Sequence, residues 1–204
     1  MPRQPAHDRR SIRLPHYDYS QPGPYFITIC TQDRTFDLGR ILEGSACLSD
    51  FGKDCRGTWD FLPSQFPGVR LDAFVIMPNH VHGILYGSGP YQTDRRPDPA
   101  TEHLPFQDRH PRLGEIVRFF KYESTRRINL RKGKPGVHFW QRNYYEHVIR
   151  DDYDLARIRN YIANNPKRWD LDRENPGKNG DDEFDLWLDS LASSPMNAPT
   201  APDA

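Results

Sequence analysis

The fold is decided by one stretch of sequence, Phe74-Val75-Ile76-Met77-Pro78-Asn79-His80-Val81-His82-Gly83-Ile84-Leu85. Apolar and β-branched residues on both sides of Pro78-Asn79 are typical of two strands joined by a turn. Side chains two positions apart in a strand point to the same face, so His80 and His82 lean off one side of a sheet, with Cα atoms about 7 Å apart. Two imidazoles at that spacing can converge on one metal ion, but they do not complete a metal site.

Outward from this stretch, strand and helix patterns alternate. We predict strands over residues 24–31, 69–77, 80–86 and 137–140, and helices over 50–65, 113–130 and from 151 or 152 to Pro166. The first six elements match the split βαβ order of a ferredoxin-like antiparallel sheet, an α+β fold with helices on one face, to which the last helix is added. In that topology the first and third strands are central, which puts the histidine pair on a rigid strand.

Composition indicates one domain with segments outside its core. Only 36% of the 204 residues are hydrophobic, which is low for a chain that is all core. We expect a folded domain over 23–175 with a mobile loop near 87–112, a flexible tail over 1–22, and an acidic, disordered tail over 176–204.

The formal net charge of zero hides an asymmetry along the chain. Residues 170–204 hold nine acidic and two basic residues, a net of −7, so the preceding residues carry +7. Residues 112–134 hold eight Lys or Arg against Glu115 and Glu123. A basic body suits a polyanionic partner, although a solvated helix face gives the same pattern.

Cysteine spacing and hydropathy exclude several classes of protein. Cys30, Cys47 and Cys55 are widely spaced and form no CxxC pair, so neither a disulfide framework nor a zinc knuckle is indicated. The chain starts without a signal-peptide pattern, and no apolar run approaches the ~20 residues that span a bilayer. We therefore expect a cytoplasmic protein with no membrane partner.

The predicted last helix supplies a partner for the histidine pair. Tyr161 and Asn165 are four residues apart and share one helical face. A tyrosine hydroxyl that faces a histidine-bound Mg²⁺ or Mn²⁺ can attack a phosphate, and an asparagine oxygen can complete the metal shell. The alternatives are two ordinary strand histidines and a core Tyr161. Rival nucleophiles are Tyr144, Tyr145 and Tyr153.

Two blocks resemble a known family. Met77-Pro78-Asn79-His80-Val81-His82-Gly83 resembles the HUH motif (His–hydrophobic–His) of single-tyrosine transposases. Residues 140–150, followed by 157–166 with Tyr161-Ile162-Ala163-Asn164-Asn165-Pro166, resemble their C-terminal block. The group that they resemble is the REP-associated tyrosine transposases, relatives of insertion-sequence transposases, and the resemblance spans roughly residues 20–175.

The resemblance implies an RRM-like fold and cleavage of single-stranded DNA at or beside hairpins. Tyr161 would form a 5′-phosphotyrosine and leave a 3′-OH, while the two histidines and Asn165 hold a divalent metal. Some relatives have Gln in place of Asn165, and Pro166 disfavours helical geometry before it, so Asn164 is the alternative ligand. Some relatives exchange the tyrosine helix between subunits, so a homodimer is one arrangement to test.

Further candidates for contact with DNA lie outside the metal motif. Basic side chains can bind phosphates, and aromatic side chains can stack on unpaired bases. The candidates are Arg118, Lys121, Arg126, Arg127, Trp140, Tyr144 and Tyr145. The alternative is a solvated helix face with core aromatics. His147 is a candidate contact for a metal ligand or a phosphate, and residues 184–188 are a candidate amphipathic turn that docks on the body or covers the basic groove.

The sequence thus predicts a metal-dependent enzyme that nicks and rejoins DNA in transposition. Two other functions stay open. One is an RRM-like nucleic-acid-binding module without catalysis, and the other is a metal phosphodiesterase that uses water, with Tyr161 in a structural role.

Overall fold

A computed structural model describes residues 23–87 and 111–192 of the chain. The strands are β1 (Pro24–Cys30), β2 (Gly39–Leu42), β3 (Ser45–Leu48), β4 (Arg70–Ile76), β5 (His80–Tyr86) and β6 (Tyr145–Val148). The helices are α1 (Asp50–Asp60), α2 (Leu62–Gln65), α3 (Leu113–Lys132), α4 (Asp152–Asn164) and α5 (Glu183–Ala192). The predicted tail over 1–22 lies outside the described residues, as do residues 193–204 of the predicted tail over 176–204 and residues 88–110 of the predicted loop near 87–112.

One antiparallel sheet carries the fold, with strand order β4-β5-β1-β6. This is the order of a ferredoxin-like sheet, so the predicted fold is confirmed. The first and third strands of that sheet, β1 and β5, are central as predicted. Their register pairs Thr28 with His82 and Cys30 with His80, which fixes the histidines on one face.

The two faces of the sheet are covered by different helices. On one face, α1 and α3 pack on apolar side chains that include Ile27, Val81 and Leu85. Gly83 belongs to this face because the ring of Trp59 lies against it, where an added Cβ would come within 2.5 Å of the ring. On the other face, α4 and α5 cover a smaller cluster around Phe26.

The predicted fourth strand was placed wrongly. Residues 137–140 form no strand, and Trp140 makes only an isolated bridge to Thr31. This segment is held by α3 instead, because Asn129 donates to the carbonyl of Val137 and the Trp140 indole donates to Ser124. The strand that pairs with β1 on the side away from β5 is β6, which begins five residues after Trp140.

Two other elements differ from the prediction. The predicted first helix is two helices, because α1 ends at Asp60 and α2 begins at Leu62, with Pro63 in its first turn. The β2–β3 hairpin was missed, since each strand has four residues and the turn depends on left-handed Glu43 (φ 49°) and Gly44 (φ 71°). The N-caps of α1 and α4 are Ser49 and Asp151, whose side chains accept the backbone N–H groups of Gly52 and Asp154.

Helix α5 lies in the segment that we expected to be a disordered tail. It folds because Phe184 and Leu188 are buried against the α4 side of the sheet. Arg173 pairs with Asp185 at 2.7 Å and with Asp189 at 3.3 Å, which anchors the acidic face of the helix. Among the described residues, no helix has the length and apolar character needed to cross a membrane.

Candidate metal and tyrosine site

His80 and His82 lie buried on β5, and each ring is oriented through its Nδ1 atom. Asn79 donates its amide Nδ2 to the carbonyl of Glu174 (2.8 Å), so its Oδ1 accepts from His80 Nδ1 (2.9 Å). That proton on Nδ1 leaves a lone pair on His80 Nε2. Thr28, opposite on β1, contacts His82 Nδ1 at 2.9 Å. Both Nε2 atoms therefore point into the space between the sheet and α4.

The carboxylate of Asp172 lies close to both histidine rings. The Nε2 atoms are 2.9 Å apart, and Asp172 Oδ2 lies 3.6 Å from that of His80 and 3.7 Å from that of His82. The three groups offer ligand atoms that all lie within 4.8 Å of one another, a spacing that one cation can bridge. Imidazole nitrogens with a carboxylate oxygen form a donor set that fits a divalent metal.

Sequence reasoning missed Asp172, because it counted this residue among the nine acidic residues of the C-terminal segment. The side chain is in fact 1% exposed. Burial alone would raise the pKa of Asp172, but His80, His82 and the amide of Asn165 together hold it below its usual value. A buried carboxylate kept ionised is suited to a cation.

Tyr161 reaches the same place from α4. Its hydroxyl oxygen lies 3.3 Å from His82 Nε2 and donates to Asp172 Oδ2 at 3.5 Å. Burial, and then the charge of Asp172, raises the pKa of Tyr161 well above its usual value, so the phenol is neutral at pH 7. Of the rival tyrosines, Tyr153 is 69% exposed and Tyr145 packs edge-on against Phe26.

Asn165 is also drawn into the site, although it lies just beyond the end of α4. Its Nδ2 donates to Asp172 Oδ2 at 2.7 Å. Its Oδ1 is buried and has no hydrogen-bond partner in the part of the chain that the structure describes. A buried carbonyl oxygen without a partner is costly unless a cation or ligand satisfies it. The alternative ligand Asn164 bonds back to Asn160 on the exposed side.

Helix α5 closes the site from outside. The ring of Phe184 stacks on that of Tyr161, with centroids 3.8 Å apart and planes 12° apart. Tyr161 is consequently only 3% exposed. A large ligand therefore reaches the tyrosine only when α5 moves away.

The predicted DNA contacts on α3 do not meet this site, because α3 covers the opposite face of the sheet. Lys121 donates to the carbonyls of residues 141, 142 and 143, and burial lowers its pKa to about 8. Arg126 and Arg127 both bond to Glu123, whereas Arg118 is exposed. Three of these four basic residues therefore have partners within the fold, and their contact with DNA stays a prediction.

The predicted aromatic contacts are also engaged in packing. Trp140 is 5% exposed in the core, which leaves no face for a base. Tyr144 packs against the same core under Lys121, and Tyr145 packs on the other face of the sheet. His147 lies beside Trp187 of α5, with ring centroids 6.3 Å apart. Burial, followed by the charge of Arg150, lowers the pKa of His147 to about 4.

A His–hydrophobic–His pair on a strand that contacts a helical tyrosine on the same face of a ferredoxin-like sheet is the arrangement that the HUH resemblance implies. A scan of protein-family profiles finds no match. A Haemophilus influenzae protein of unknown function is 42% identical over 173 residues, which cover 82% of this chain and 93% of that protein.

Two further relatives bear the name of one family. A second H. influenzae protein, named as a candidate REP-associated tyrosine transposase, is 27% identical over 158 residues, or 73% of each chain. The solved structure of a REP-associated tyrosine transposase bound to a REP hairpin matches with a TM-score of 0.50 and 21% identity, covering 76% of this chain and 72% of that one. The second H. influenzae relative, by its sequence, and the solved structure, by its fold, confirm the predicted resemblance to the REP-associated tyrosine transposases.

Proposed function

We propose that this protein is a metal-dependent transposase that cuts and rejoins single-stranded DNA at hairpin or repeat sequences. The observation that carries the proposal is the Tyr161 hydroxyl, 3.3 Å from His82 Nε2 in a pocket that also holds Asp172. The solved relative is bound to a REP hairpin, which supports this class of substrate.

His80, His82 and Asp172 would hold the metal, and Asn165 Oδ1 is a fourth candidate donor. Mg²⁺ and Mn²⁺ accept oxygen ligands and tolerate imidazole, which suits this set. The ion would draw charge from the phosphoryl oxygens during attack. Asn79 and Thr28 fix the ring orientations, so the nitrogen donors are ready before the ion arrives.

The proposed reaction transfers a phosphoryl group from DNA to Tyr161. The tyrosine oxygen forms a bond to phosphorus, and the bond from phosphorus to the 3′ oxygen breaks. The Tyr161 hydroxyl, which donates to Asp172 Oδ2, loses its proton as the new bond forms, while the leaving oxygen gains a proton and becomes a 3′-OH. The product is a 5′-phosphotyrosine, which retains the bond energy needed for rejoining.

Two features of the site bear on the alternatives. Burial of the site limits access of water, which favours tyrosine attack over a phosphodiesterase mechanism. Tyr161 meets the histidines of its own chain, which supports a monomeric active site rather than a homodimer that exchanges α4.

A labelled-DNA experiment tests the proposal. The full chain and its Phe184→Ala variant, which opens access to Tyr161, are incubated with Mn²⁺ and hairpin DNA labelled at either end. We expect a denaturing gel to show a protein adduct that carries the 3′ label, and a 5′-labelled fragment that ends in 3′-OH.

Matched variants give the contrary outcomes a clear meaning. Tyr161→Phe should abolish the adduct, whereas Tyr153→Phe, at the exposed start of α4, should retain it. Cleavage without an adduct would identify a phosphodiesterase. Binding without cleavage by both the full chain and Phe184→Ala would identify a binding module.

A further inference from the structure

We propose that Phe36 and Trp169 form a stacking platform for one unpaired base of the single strand, beside the metal site. This inference rests on the proposed function, because it assumes that a DNA phosphate occupies the histidine site. It assigns base contact to two residues that lie outside both of the motifs that resemble the family.

The platform is a line of rings that leads from the metal site to solvent. The ring of Trp169 lies 6.1 Å from that of His80, with planes 28° apart. The ring of Phe36 lies 5.7 Å beyond, edge-on to Trp169 at 71°. Phe36 is 55% exposed and Trp169 is half-buried, so a flat ligand can reach them without movement of α5.

The loop that displays Phe36 is held firmly in an unfavourable conformation. Asp33 and Arg34 both have a φ of 55°, which non-glycine residues rarely adopt. The Thr31 hydroxyl lies within hydrogen-bonding distance of the carbonyl oxygens of Thr35 (2.9 Å) and Asn79 (3.0 Å). Backbone strain that the surroundings maintain is typical of ligand-binding segments. A fixed loop that exposes an aromatic ring is therefore better explained by a ligand than by packing.

Two cationic side chains lie near the platform, which suits a nucleic-acid ligand. Lys167 is exposed on the same turn as Trp169, and Arg34 stays 28% exposed while it pairs with Glu174 at 3.2 Å. Aromatic side chains flanked by cations are the usual platform for single-stranded nucleic acid, in which every base offers a face for stacking. Because His80 lies one ring away, the stacked base would flank the phosphate at the metal site.

The test uses 2-aminopurine, a fluorescent base whose emission falls when it stacks. The probe replaces one base at a time along the single-stranded flank of a DNA hairpin. Binding is measured with the full-length Tyr161→Phe variant, so that no covalent step intervenes. We expect strong quenching at one position next to the cut site.

Two substitutions of exposed phenylalanines provide the comparison. Phe36→Leu should remove the quenching at that position and weaken the Kd about tenfold, the value of one stacked base. Phe61→Leu is the matched control, because Phe61 is 42% exposed and also packs against another ring, that of Phe119, 6.4 Å away on the opposite face of the sheet. The control should leave quenching and Kd unchanged, and Phe36→Tyr should keep both.

Each outcome separates the platform from the proposed function. Suppose that the wild-type chain forms the adduct, but that Phe36→Leu leaves the 2-aminopurine quenching and the Kd of the Tyr161→Phe variant unchanged. The platform proposal is then overturned, and the transposase proposal stands. If no adduct forms but quenching depends on Phe36, the platform belongs to a binding module. If both phenylalanine variants lose affinity equally, no local stacking exists and the proposal is overturned.

Discussion

The two faces of the central sheet use the same strands for different purposes. On the α1–α3 face, Ile27 and Val81 pack among aliphatic and aromatic side chains. On the α4–α5 face, the alternate residues Thr28, His80 and His82 form a buried polar network that includes a carboxylate. One face buries apolar area and stabilises the fold, whereas the other keeps polar groups from water and is costly without a ligand.

The basic helix α3 and the acidic C-terminal segment also differ from what their charges predict about function. The basic helix α3 directs much of its charge to its own partners, Glu123 and three loop carbonyls. The acidic segment supplies Asp172 to the candidate metal site and α5 as its cover. The sign of a segment's charge therefore did not locate the chemistry, because partners within the fold decide which charges remain available.

The largest expected effect comes from Asp172→Asn, which removes the carboxylate from the candidate metal site. We expect the affinity for Mn²⁺ to fall at least about 100-fold, because a charged ligand is replaced by a neutral one. Titration calorimetry measures the affinity. Asp170→Asn, two residues away and exposed, is the matched control.

The opposite face provides the reciprocal test. Ile116→Val, at a fully buried position of α3, should lower the free energy of unfolding by about 0.5–1.5 kcal/mol and leave Mn²⁺ affinity unchanged. If Asp172→Asn retained the wild-type affinity for Mn²⁺, or Ile116→Val lost it, the assignment of metal binding to the α4–α5 face alone would be refuted.

The next effect concerns access to Tyr161. Phe184→Ala removes the ring that stacks on Tyr161, so α5 should open more often and the rate of adduct formation should rise about tenfold. Leu186→Ala is the control, because this residue of the same helix is 57% exposed. Single-turnover measurements with labelled hairpin DNA give both rates, and equal rates would show that α5 does not limit access.

Local periodicity explains what the sequence predicted correctly. His80 and His82 share a face because strands repeat every two residues, and Tyr161 and Asn165 lie together because helices repeat at about four. Asp172 follows neither repeat. It follows the 3-10 helix Asn165–Leu171, and only the tertiary fold brings it to the histidines.

The errors have the same origin. Residues 137–140 carry an apolar pattern, but they pack under α3, while the mixed pattern of β6 pairs with β1. The DNA contacts predicted for Lys121 and Trp140, which stay predictions, depend on exposure, which a sequence does not report. Their hydrogen bonds to loop carbonyls and to Ser124 turn both residues inward.

A further effect is expected from pH, through His147 on the α4–α5 face of the sheet. Burial lowers its pKa to about 4, below the 6.5 of an exposed histidine, so the unfolded chain binds more protons between these values. Stability should therefore rise as pH increases from about 4 to 6.5 and then level off, by roughly 1–3 kcal/mol for this group.

Two glutamine variants isolate this contribution. His147→Gln should flatten that part of the curve of unfolding free energy against pH, whereas His138→Gln, at an exposed position, should not. Urea unfolding at a series of pH values gives the curves. Identical slopes in wild type and His147→Gln would contradict a neutral, buried His147.

The smallest effect should come from α3. Arg126 is held by both carboxylate oxygens of Glu123 at 2.8 Å and lies on the face away from Tyr161. Arg126→Gln should therefore change the affinity for hairpin DNA by less than about threefold and leave its salt dependence unaltered, since each lost phosphate contact lowers the slope by about one. Lys167→Gln, beside Trp169, should lower that slope. If Arg126→Gln lowered the slope and Lys167→Gln did not, the DNA would run along the α1–α3 face. The α4–α5 face would then bind only the phosphate that reacts.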